Sequence, residues 1–127
     1  MLREKSAFGK NVLLDVGGIH YRVSIMTLTQ GVPKSRMLSS MFSGLFPPEK
    51  AQETFFIDRN GRIFEHILEY LRVGFPSLSR LRLLGEPQRS ITLHEIHEEA
   101  KFFDIPDLLN DIYILTACFG LANLKDL

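Results

Sequence analysis

The sequence predicts an α+β domain: a small three-stranded sheet, from residues 12–16, 19–24 and 54–58, covered by a cluster of about five helices. Three observations carry that expectation. Two stretches of alternating apolar residues meet at Gly17-Gly18, as the arms of a hairpin do. A short run rich in aromatic and β-branched types, Phe55-Phe56-Ile57, leads directly into a capped helix. Several further stretches carry apolar residues at helical spacing.

Residues 1–10 are polar, lack periodicity and read as a flexible N-terminal arm. Val12, Leu14 and Val16, with Ile19, Tyr21 and Val23 across the turn, supply one apolar face at a period of two. Met26 to Thr29 starts a short helix, stopped by Gly31 and Pro33. Ser35 caps the next, with Met37, Leu38, Met41 and Phe42 on one face and Gly44 at its end. The polar stretch from Ser43 to Glu53 reads as an exposed loop, leading into a buried strand over Phe55, Phe56 and Ile57.

Asn60 then stands where an N-cap is wanted. Phe64, Ile67, Leu68 and Leu71 form one helical stripe; Arg62, Glu65, Glu69 and Arg72 cover the other face, and Gly74 ends the helix. From Phe75 to Arg89 leucine and arginine interleave. An edge strand and a helical turn both fit, and Phe75, Leu78, Leu81 and Phe119 read either as satellite core or as an exposed partner patch. Thr92-Leu93-His94-Glu95 has the form of a capping box, followed by Leu93, Ile96, Ala100 and Phe103 at near-helical spacing. Pro106 suits the first position of a last helix, whose apolar face is Leu108, Leu109, Ile112 and Leu115 and which fades before Gly120. The domain therefore covers 11–116, and 117–127 is a tail or the start of a linker.

The 127 residues suit one domain. Fifteen basic residues balance fifteen acidic ones, which argues against a general nucleic-acid or membrane-surface binder. Cys118 is the only cysteine, so an intramolecular disulfide and a Cys-based zinc site within one chain are excluded. No apolar run reaches the roughly 20 residues of a membrane span, and the first ten residues lack a signal peptide's apolar centre. A cytoplasmic chain without membrane contact is the expectation. His94 and His97 are one residue short of the zinc-protease spacing, so no metal is assigned. Gly17-Gly18 matches no phosphate-binding loop, and no nucleophile elbow is present. An enzyme is not expected, nor a cofactor.

Four blocks, in order, resemble one family. Leu14-Asp15-Val16-Gly17-Gly18-Ile19-His20-Tyr21 is similar to its L-N-V-G-G-x-x-[FY] opening, with Asp15 for the usual Asn. Ser35 to Ser43 is similar to S-x-L-x-x-M-F-S. Phe56-Ile57-Asp58-Arg59-Asn60-Gly61, with Phe64, resembles F-[IL]-D-R-[DN]-G-x-x-F, and Glu99 to Leu109 resembles E-A-x-[YF]-F-x-[LI]-P-x-L-[LV]. These are the marks of the BTB/POZ fold in its potassium-channel-tetramerisation branch. The Asp58-Arg59-Asn60-Gly61 corner looks most like that of the soluble KCTD proteins. Family members usually have a shorter loop where Phe75–Arg89 lies.

The resemblance implies a protein-interaction and homo-oligomerisation module, a homo-tetramer or homo-pentamer. It further implies an adaptor that recruits substrates to a cullin ubiquitin ligase; the alternative is the cytoplasmic subunit-assembly domain of a voltage-gated potassium channel. A charged pair between a strand and a helix cap must be exposed or paired. Asp58 and Arg59 therefore make either a local salt bridge or a contact across a subunit boundary. The resemblance favours the boundary, with Asp58, Arg59 and Asn60 in the oligomer interface. Alanine at Asp58 or Arg59 is then expected to weaken assembly more than folding.

Overall fold

The computed structural model describes residues 11–43 and 53–118. The expected N-terminal arm, Gly44, most of the 43–53 loop, Phe119 and the tail from 119 onward lie outside the described residues. Strands β1 (Asn11–Val16) and β2 (Ile19–Ser24) form the expected hairpin. Val12 faces Val23, Leu14 faces Tyr21 and Val16 faces Ile19, so the two apolar sets share one side of the sheet. Gly17 and Gly18 turn at φ of 57° and 99°, a conformation that residues with a Cβ rarely adopt. Asp15 braces the turn, its Oδ1 accepting from the Gly18 N–H at 2.8 Å. The carboxylate thus serves the backbone as an Asn side chain would.

Strand β3 (Thr54–Ile57) pairs parallel with β1, giving the order β2-β1-β3. A parallel partner needs a long crossover. It contains helices α1 (Ile25–Thr29) and α2 (Arg36–Phe42). Ser24 caps α1, and Ser35 caps α2 by accepting from Leu38 N at 3.0 Å. The Ser35 hydroxyl also donates to the Phe103 carbonyl, and Arg36 N donates to Asp104 O, which pins α2 to the far end of the chain. The buried strand expected over Phe55–Ile57 is corrected. β3 lies at the sheet edge and alternates: Ile57 is buried while Phe56 is 64% exposed.

Helix α3 (Gly61–Val73) buries Phe64, Ile67, Leu68 and Leu71, the stripe read from the sequence. On its outer face Glu69 pairs with Arg72 at 3.5 Å. Helix α4 (Gln88–Phe103) buries Leu93, Ile96, Ala100 and Phe103. The capping box at Thr92 is also corrected. Thr92 is inside α4, buried, and its hydroxyl accepts from the Gln88 amide at 3.2 Å. Glu86 serves the true start, accepting from Ser90 N and from the Ser90 hydroxyl. Asp104 ends the helix at φ 57°, letting Ile105 N reach back to Ala100 O. Helix α5 (Pro106–Cys118) starts at Pro106 as expected and buries Leu108, Ile112 and Leu115. The buried Tyr70 of α3 latches it, donating to Asp111 Oδ2 at 2.6 Å. Burial and that carboxylate push the phenol far above its ordinary range.

Between α3 and α4, residues Phe75–Leu83 form a 3-10 helix, the helical of the two readings and not the edge strand. Three residues per turn put Leu78 and Leu81 on one stripe, and both are buried. They belong to the core, whereas Phe75 is exposed. His66 lies beside this segment. Burial, together with the Arg80 charge, holds its imidazole below the ordinary range, while Glu65 and Glu95 pull the other way. The unfolded chain therefore takes up the proton first, and stability is lost as pH falls below about 6.5. We expect His66→Asn to flatten that acid limb, measured by urea unfolding at pH 7 and pH 5. Parallel limbs for variant and parent would remove His66 as a cause.

Candidate assembly site

The Asp58–Gly61 corner is built from backbone contacts. Ile57 O accepts from both Gly17 N and Arg59 N at 2.9 Å, tying the hairpin turn to the end of β3. A Cβ on Gly17 would lie 2.1 Å from Arg59 O, and one on Gly61 would lie 2.2 Å from Val16 O. Turn and corner approach more closely than side chains permit. Asn60 caps α3, its Oδ1 accepting from Arg62 N at 3.0 Å and Ile63 N at 3.2 Å. Tyr21 closes the corner from β2 by donating to Gly61 O at 2.5 Å. Burial, then the Glu65 charge, raises that phenol above its ordinary value.

Arg59 reaches across to α4. Its Nε and Nη2 donate to the two carboxylate oxygens of Glu99, each at 3.0 Å, a planar fork on a planar acceptor. Glu99 is only 7% exposed, while the Arg59 side chain is 31% exposed. The hydrogen bond to Glu99 holds the guanidinium above its already high ordinary value. The same guanidinium stacks 4.3 Å from the centre of the Phe102 ring. Phe102 meets Phe103 edge-on at 5.0 Å, Phe103 meets Phe64 at 5.2 Å, and Phe64 meets Tyr21 at 5.2 Å. A row of aromatic rings therefore carries the corner's position into the core.

Asp58 makes no hydrogen bond or ion pair with Arg59; it is exposed, and its carboxylate forms no ion pair among the described residues. The Asp58, Arg59 and Asn60 named from the sequence thus divide three ways. Asn60 braces the helix, Arg59 is held by Glu99, and Asp58 faces outward. Phe56 and Phe102, both exposed, flank them along the chain or by contact. The sequence reading missed Glu99 and Phe102. Glu99 carried a signal nevertheless: it follows Ile96 by three and precedes Phe103 by four, so a charge sits within a buried stripe and requires a partner. His94 and His97 do not join it in a metal centre; no group of three or more metal-ligating side chains occurs among the described residues.

A mixed sheet edged by a charged corner, under a helical cover, is the architecture of a BTB/POZ domain, a protein-interaction and oligomerisation module. The BTB/POZ domain model matches residues 12–112, and the chain belongs to that family, in its potassium-channel-tetramerisation branch. It is 35% identical over 99 residues to the mouse (Mus musculus) BTB/POZ domain-containing protein KCTD21, and equally to the human (Homo sapiens) protein of that name. The match takes in 77% of this chain and 34% of each relative, so the chain spans about a third of their length. No helix among the described residues is long and apolar enough to cross a membrane.

Proposed function

We propose that this chain is the assembly domain of a homo-oligomeric adaptor, a tetramer or pentamer in the cytoplasm, that recruits substrates to a cullin ubiquitin ligase. Asp58, Arg59 and Asn60 stand at its subunit boundary. The observation that carries the self-assembly reading is the pre-positioned Arg59. Glu99 and Phe102 fix its guanidinium, and its Nη1 makes no hydrogen bond within the described residues. Asp58 beside it offers an exposed carboxylate that makes no ion pair among the described residues. A donor already fixed at a corner loses little side-chain entropy when it meets a neighbouring copy. Several copies in one ring raise the effective concentration of whatever each chain carries, which is what an adaptor needs. The cullin role rests on family membership alone, and its test is a pull-down with a purified cullin.

Arg59→Ala would orphan Glu99 and disturb folding as well as assembly, so Asp58→Ala is the cleaner probe. We expect Asp58→Ala to keep the parent's far-UV circular-dichroism spectrum, the mark of a folded protomer, while its mass in multi-angle light scattering falls toward the monomer on dilution. An unchanged mass at every concentration would remove Asp58 from the boundary. A parent chain that is monomeric throughout would remove the assembly reading itself.

A further inference from the structure

Two grooves lined by described residues flank the 3-10 segment between α3 and α4. The larger, about 460 Å³, is walled by Phe75, Leu78 and Leu115 and ends at Cys118, with Arg82 on its rim. The smaller, about 270 Å³, holds Arg80, His66, Gln88 and Glu65. The three-residue turn produces this division. Leu78 and Leu81 form the inward stripe, with Phe75 exposed at its start; Pro76, Ser79 and Arg82 turn to the larger groove; Arg80 and Leu83 share the third stripe. Leu83 is 86% exposed.

Charge at the larger groove is one-sided, whereas the smaller sets Glu65 against Arg80, with the Glu95 charge also felt at its His66. Arg80 and Arg82 are exposed, and neither makes an ion pair or hydrogen bond among the described residues. Among the described residues the larger groove has no carboxylate in its lining, and the smaller has Glu65 alone. An apolar trough with an unpaired guanidinium on its rim suits an apolar side chain flanked by acids, since Arg forks onto carboxylates and its stem tolerates apolar neighbours. We propose that the Phe75–Leu83 segment is a docking surface for an acidic segment of a partner protein. Its apolar anchor residue enters the groove between Phe75 and Leu115, and its carboxylates meet Arg82 and Arg80.

The test uses the full 127-residue chain. The probe is a fluorescein-labelled peptide, Glu-Glu-Phe-Leu-Glu-Leu-Glu-Glu, read by fluorescence anisotropy; its Lys-for-Glu counterpart and vesicles of phosphatidylserine and phosphatidylcholine are the comparisons. We expect saturable binding of the acidic peptide, none of the basic one, and at least about a tenfold weakening in the Arg80→Glu/Arg82→Glu double variant. The His66 imidazole signal in NMR shifts with the peptide, which places it at the grooves. Light scattering of the double variant reports the parent's mass. Binding that survives the double variant, or vesicle binding without peptide binding, overturns the proposal. So does a changed oligomeric mass in the double variant without peptide binding by the parent, which would mark this face as a contact between copies.

Discussion

Arg59→Ala lowers the stability of the fold by about 3 kcal/mol. The loss comes less from the missing attraction than from what is left behind. Glu99 is almost wholly buried on α4, and both its oxygens are satisfied by Arg59. Without the guanidinium a carboxylate remains away from water with no donor. The partial exposure of Arg59 lets water reach the site, which sets the effect at the lower end of the range for a broken buried pair. Replacing both partners with leucine removes the orphan, so Arg59→Leu/Glu99→Leu recovers most of the loss. The measurement is a double-mutant cycle by urea unfolding at one protomer concentration, since assembly contributes to apparent stability. Additive effects of the two single changes would show that the pair is not coupled.

Gly61→Ala is expected to cost at least about 3 kcal/mol, though alanine is the better helix former by roughly 1 kcal/mol. Gly61 is the first residue of α3, where an alanine backbone is comfortable. The added methyl meets Val16 O at 2.2 Å and the Ile19 Cβ at 2.9 Å. Neither is the end of a flexible chain. Relief requires moving the hairpin away from the corner, which breaks the contacts of Ile57 O and Tyr21. Gly85→Ala is the control, because nothing lies within 4 Å of its added methyl. Equal stabilities for the two variants would contradict the close approach of turn and corner.

Much of this architecture could be read from residue order. The Gly17-Gly18 hairpin, the Asn60 and Ser35 caps, the α3 stripe and Pro106 were legible because each is a local contest that one residue type decides. The errors share a cause. Thr92 with Glu95 resembles a helix start, yet burial and Glu86 further upstream moved the start to Gln88. Phe56 has a strand former's chemistry but lies on the open face of an edge. The Phe75–Arg89 segment stayed open between strand and helical turn because its leucine-arginine alternation has the strand period while its Leu78-Leu81 spacing of three suits a helix. At the candidate site, Asp58, Arg59 and Asn60 were visible, but the division of labour among them was not. It depends on Glu99, forty positions away.

The place of β1 between its two neighbours also bears on how the chain is made. Synthesis runs from the N-terminus, so the β1–β2 hairpin can close soon after residue 24 leaves the ribosome. Its other neighbour, β3, is complete only at residue 57, and the intervening chain must emerge first. During that interval the central strand of the finished sheet has an open edge, carrying the apolar residues Val12, Leu14 and Val16, and invites pairing with another nascent chain. The vulnerable period ends when Ile57 and the glycine-tight corner lock onto the hairpin turn, so protection of the growing polypeptide against mispairing depends on the same few atoms that shape the finished corner.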